Sequence, residues 1–139
     1  MNKVLYIILI SLFSLTVNSC AKKSSTSSNT TTSGAVTTVA GTGSSGSADN
    51  TTGTSASFNA PYGITTDGTN LYVADYGNHL IRKIVISTGV VTTLAGTGSR
   101  GSADGTGTSA SFKYPRGITT DGTNLYVADN SNHLIRKIE

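Results

Sequence analysis

Residues 63–84 read GITTDGTNLYVADYGNHLIRKI, and residues 117–138 read GITTDGTNLYVADNSNHLIRKI. A matching preamble precedes each copy: AGTGSSGSADNTTGTSASFNAPYG at 40–63 and AGTGSRGSADGTGTSASFKYPRG at 95–117. This duplication constrains the fold more than any single residue does. Each copy is one supersecondary unit, too small to bury both of its own faces, so the copies must stack on one another.

The repeated region is rich in β-branched residues and glycine, and its short apolar runs alternate with turn signals, so residues 35–139 read as all-β. In the first copy the strands are expected at Gly63–Thr66, Leu71–Asp75, His79–Ile86 and Val90–Ala95. Turns fall at Asp67–Asn70, Tyr76–Asn78 and Ser87–Gly89, where Asp, Asn and Gly tolerate the backbone angles required. The second copy gives Gly117–Thr120, Leu125–Asp129 and His133–Ile138. Its fourth strand has a counterpart upstream, because Val36–Ala40 (VTTVA) matches Val91–Ala95 (VTTLA). The expectation is eight strands in two four-stranded antiparallel sheets, permuted so that the first strand could complete the last sheet.

The N-terminus has a different character. Met1–Lys3 is a short basic start, and Val4–Val17 is an apolar run too short for a comfortable membrane span. It ends in Val17-Asn18-Ser19-Cys20, which contains the single cysteine of the chain. A lone cysteine cannot form an internal disulfide. The segment resembles a bacterial lipobox, which implies that residues 1–19 are a signal peptide and that Cys20 is acylated. Ala21, rather than aspartate, follows the cysteine, so the resemblance favours the bacterial outer membrane or cell surface. Residues 20–34 are polar and low in complexity and read as a tether. Ten Lys and Arg against seven Asp and Glu, with no basic stripe, argue against a nucleic-acid partner.

The unit AGTG…GSADGTG…ASF…P-x-GI…DG-x-NLYVAD…NHLIRKI closely resembles the NHL repeat of β-propeller proteins, over about residues 36–139. The resemblance implies two NHL-type propeller blades at 35–139 acting as a binding or scaffold module, without chemistry or cofactor. Members of that family usually have six blades. Two blades cannot close a ring, so three chains are expected to assemble head to tail as a homotrimer. The alternatives are a truncated fragment of a longer array without independent function, or a metal-assisted lyase or hydrolase working in a propeller channel.

His79 and His133 occupy equivalent positions and are the only histidines. A metal site wants three or four converging ligands, and no further His, Cys or Glu lies near them in the sequence. They therefore read as part of the repeat signature, together with Asn78, Asn132, Asp75, Arg82, Asp129 and Arg136. The two Asp–Arg pairs are expected to be cross-strand ion pairs or turn caps. The glycine-rich loops 41–53 and 96–107 match neither Walker nor EF-hand patterns, and Asp49 and Asp104 stand alone in them.

Function is sought where the copies differ. Ser45 becomes Arg100, Asn59 becomes Lys113, Ala60 becomes Tyr114, Tyr62 becomes Arg116, and Tyr76-Gly77 becomes Asn130-Ser131. Tyr62, Tyr76, Arg100, Lys113, Tyr114 and Arg116 are expected to form a cationic, aromatic lip with His79 and His133 close by. Such a lip suits an anionic or glycan-like ligand, or a protein loop.

Overall fold

A computed structural model describes residues 34–139. The signal segment, Cys20 and the tether up to residue 33 lie outside the described residues. Seven strands form two antiparallel sheets. The first sheet is β1 (Pro61–Thr66), β2 (Asn70–Asp75), β3 (Leu80–Val85) and β4 (Val91–Ala95), in that order. The second is β5 (Pro115–Thr120), β6 (Leu125–Asp129) and β7 (Leu134–Ile138). Among the described residues there is no α-helix.

Two expectations are corrected. Val36–Ala40 is not a strand, so the second sheet has three strands rather than four and the described residues hold seven strands rather than eight. A β segment needs a partner edge for its backbone groups, and Val36–Ala40 pairs with no strand among the described residues. His79 and His133 stand outside β3 and β7. Each follows a 3₁₀ turn (Tyr76–Asn78 and Asn130–Asn132) and adopts a left-handed conformation, φ 58° in both. That conformation is incompatible with an extended strand, so β3 and β7 begin one residue later.

The turn between β1 and β2 is set by one carboxylate. Asp67 accepts bonds from the Thr69 and Asn70 backbone N–H groups at 2.8 and 2.6 Å, from Asn70 Nδ2 at 2.9 Å and from Tyr72 Oη at 2.8 Å. These bonds hold its carboxyl well below the usual carboxylate range, the Asn70 side chain contributing most. Asp121 repeats the arrangement with Thr123, Asn124 and Tyr126.

The two sheets pack face to face. Ala74, Ile81 and Ala95 of the first sheet meet Val127, Phe112 and Ala110 of the second unit in one buried cluster. On the opposite face of the first sheet, Val73, Ile84 and Val91 are covered by Ala56 from the preamble. Close approach between β1 and β5 requires glycine at 63, where a Cβ would lie 2.3 Å from the Arg116 carbonyl oxygen. The architecture is therefore repeated sheets stacked through alternating faces, as the duplication demands.

Candidate functional site

Each preamble is fastened to its sheet by a buried arginine. Arg82 on β3 is fully buried. Its Nη1 donates to Asp75 Oδ2 at 2.9 Å and to the Ser57 carbonyl at 3.0 Å. Its Nη2 donates to Asp49 Oδ1 at 2.6 Å and to the Ala48 carbonyl at 3.0 Å. Asp75 also accepts the Asn59 backbone N–H at 2.8 Å and Asn78 Nδ2 at 2.8 Å, and Asn78 Nδ2 reaches the Gly46 carbonyl. Arg136 repeats this with Asp129, Ser111, Asp104 and Ala103, and Asn132 repeats Asn78.

The network accounts for the identity of these residues in both copies. A buried charge must be paired and hydrogen-bonded, and both terminal nitrogens of Arg82 are, its Nε alone being buried without a partner among the described residues. Asp49 and Asp104, each alone in its loop, are paired with residues of the sheet. Each is the second carboxylate of a two-aspartate clamp on one arginine. The pairing spans more than thirty residues, so no local pattern announces it.

The residues that differ between copies converge elsewhere. Tyr62 enters from β1, Tyr76 from the 3₁₀ turn after β2, and Tyr114 from the loop before β5. Ring centroids lie 6.1 Å apart for Tyr62–Tyr76 and 4.8 Å for Tyr76–Tyr114. His79 packs edge-on against Tyr114 at 4.5 Å, and its Nδ1 accepts the Tyr114 backbone N–H at 3.0 Å. The Arg116 guanidinium sits 4.9 Å from the Tyr62 centroid and 5.7 Å from that of Tyr76, and Arg100 sits 4.9 Å from Tyr114. These are cation–π distances. The result is a row of three tyrosines with two exposed arginines, built across both sheets.

Lys113 and His133 stand apart from the row. Lys113 is tied by its backbone N–H to Asp129 Oδ1 at 2.8 Å. His133 is exposed, whereas its twin His79 is buried against the second unit. Burial pushes the His79 imidazole below its ordinary value, the Arg100 charge adds to that, and Asp129 opposes it. Among the described residues no three His, Cys, Asp or Glu side chains gather in a metal-binding cluster.

The segment Phe112–Ile138, which holds β5 to β7 and the Asp129–Asn132–Arg136 set, decides the comparison. The family model of the NHL repeat matches residues 112–138. The NHL-matched segment has a twin at 58–84 that differs at five positions, four of them the substitutions at 59, 60, 62 and 76. NHL repeat-containing protein 2 of Bos taurus is 40% identical over 92 residues, covering 63% of this chain and 13% of that protein. An auxiliary nutrient binding protein from Bacteroides thetaiotaomicron VPI-5482 superposes with TM-score 0.62 at 30% identity, over 73% of this chain and 28% of that one. A protein of the same organism described as a candidate phosphatase superposes with TM-score 0.62 at 29% identity, covering 73% and 26%. This chain thus spans about an eighth of the curated relative and about a quarter of each solved neighbour.

Proposed function

We propose that the protein is a lipid-anchored bacterial surface module that binds an acidic glycan at the Tyr62–Tyr76–Tyr114 row. The observation that carries this reading is the convergence itself. Three rings and two guanidinium groups, drawn from both sheets, meet at the positions where the otherwise constant repeat varies. Sugar rings stack on aromatic faces, and arginine pairs with carboxylate or sulfate groups in a planar fork. Loops held on a rigid β framework are where binding residues concentrate. A nutrient binding protein among the similar structures supports the same class of role.

In this reading the two sheets are propeller blades, three chains complete one ring, and Cys20 carries the lipid that holds the ring at the outer membrane. The mechanism is recognition without bond chemistry. The test is titration calorimetry against a panel of neutral, sulfated and uronate-containing polysaccharides. Binding of an acidic glycan is expected, with at least a tenfold loss in Tyr114→Ala and Arg116→Ala and unchanged circular dichroism. Equal affinity in both variants refutes the site. Hydrolysis of p-nitrophenyl phosphate by the purified chain would instead favour the enzymatic reading. Loss of fatty-acid labelling in Cys20→Ser tests the anchor.

A further inference from the structure

The two sheets are twins, so the face by which one meets the other can be followed to where that face is left open. Ile81, fully buried between the sheets, has Ile135 as its twin, which is 77% exposed. Leu80 is buried and its twin Leu134 is not. At the other end, Ile118 packs into the inter-sheet cluster while its twin Ile64 is 60% exposed. The two open faces are therefore the two halves of an interface this chain already makes internally.

We propose that a second copy of this chain docks there, and that its Val36–Ala40 segment adds, as a fourth strand, to the edge of β7 that no described strand pairs with. The inference rests on the ring-completing reading above and names the element that makes the joint. Three observations carry it.

First, VTTVA is a near-copy of β4, and it leads into its preamble in the same way. Gly41 N–H donates to the Gly53 carbonyl as Gly96 N–H donates to that of Gly107. Second, β4 pairs with β3 in the register Ile81↔Ala95, Arg82↔Thr93, Lys83↔Thr92 and Ile84↔Val91. The twin register sets Ile135, Arg136, Lys137 and Ile138 against Ala40, Thr38, Thr37 and Val36. A groove of about 450 Å³ runs along that edge, lined by Ala95, Asp104, Phe112, Arg136 and Ile138. Third, Asp49 does more than clamp Arg82. It also accepts the Thr93 backbone N–H at 2.9 Å and Thr93 Oγ1 at 3.2 Å. Among the described residues its twin Asp104 pairs with Arg136 alone, and its side chain is 96% exposed against 45% for Asp49. The twin of Thr93 is Thr38, so the incoming strand brings the group that Asp104 is placed to hold. An unpaired strand edge is a ready template for such addition.

The experiment uses the full chain in detergent, with mass from light scattering and amide exchange read by mass spectrometry. Wild type is expected as a multiple of one chain, with Val36–Ala40 and Leu134–Ile138 protected in the assembly. Thr37→Pro removes the N–H that its twin Thr92 turns toward β3, since the neighbouring Val91 and Thr93 N–H groups point away to Asn50 and Asp49. Gly117→Val fills the spot where its twin Gly63 admits the Arg116 carbonyl, while within its own chain a Cβ at 117 meets only Ala128 at 3.6 Å. Both variants are expected to run as single chains with unchanged circular dichroism. A single-chain mass for wild type overturns the joint and the ring together. A wild-type multimer without protection at Val36–Ala40 overturns the strand addition and leaves the ring standing.

Discussion

Ile81 and Ile135 offer an internal control, because the same residue sits at the same register in two sheets. Ile81 is sealed between the sheets by Phe112 and Val127, and Ile135 faces outward. Truncating Ile81 to alanine removes three carbon groups at ~0.8 kcal/mol each and leaves a cavity. The expected cost is about 3 kcal/mol. In Ile135→Ala of the dissociated chain the cost is within about 0.5 kcal/mol, as for surface positions generally. With a urea dependence of about 1.5 kcal/mol/M, Ile81→Ala lowers the unfolding midpoint by about 2 M. Urea titration followed by circular dichroism measures both. If a second copy covers Ile135, the deficit of its variant relative to wild type grows as protein concentration rises, while the Ile81 effect stays at every concentration. A midpoint shift for Ile81→Ala below about 0.5 M would refute the claim that this cluster holds the sheets together.

Other outcomes follow from the same geometry. Asp75→Ala leaves the buried Arg82 charge with one carboxylate, strips the Asn59 N–H of its acceptor and takes one of two acceptors from Asn78, so thermal melts should report a loss of about 3–5 kcal/mol. Asp49→Ala, at the half-exposed end of the clamp, should cost about 1–2 kcal/mol in the same melts. Because burial holds the His79 imidazole below its ordinary value, the unfolded chain takes up its proton first as pH falls. Stability is therefore full above about pH 6.5 and declines on acidification until the folded-state group also titrates. In His79→Asn this component of the change between pH 7.5 and pH 5.5 should vanish. Gly63→Val, which drives a side chain into the Arg116 carbonyl, should separate the sheets and expose the tyrosine row to protease, and Gly117→Val should not.

The strands and turns were legible because their signals are local. Alternation, Asp-Gly turns and exact repetition place β1 to β7 within one or two residues. The tyrosine and arginine positions were legible as a set because they vary against a constant background. Two things were hidden. The Asp49–Arg82 pairing joins residues that no spacing rule connects, and becomes visible only when the preamble folds over β3. The state of Val36–Ala40 is not legible, because its sequence specifies a strand and says nothing of which edge receives it. Strand propensity is a fit to a neighbour, and this segment pairs with none among the described residues.

The division between constant and variable positions then has a physical reading. Arg82, Asp75, Asn78 and their twins are locked, since losing one leaves a buried polar partner unsatisfied. Tyr62, Tyr76 and Arg116 contact one another and Arg100 contacts Tyr114, through ring stacking and cation–π contacts rather than through a buried polar network, and Tyr62, Arg100 and Arg116 are exposed. Substituting them costs the fold little, so these positions are free to vary between copies. Tyr114 is the exception that ties the two sets together. Its backbone N–H is held by His79 Nδ1 while its ring joins the row. Its φ of 56° is matched by 49° at its twin Ala60, so the backbone conformation belongs to the repeat and only the side chain is new. Tyr114→Ala should therefore keep the inter-sheet hydrogen bond and the fold while removing the central ring. If instead the variant unfolds, the ring is part of the scaffold and the binding row must be redrawn without it.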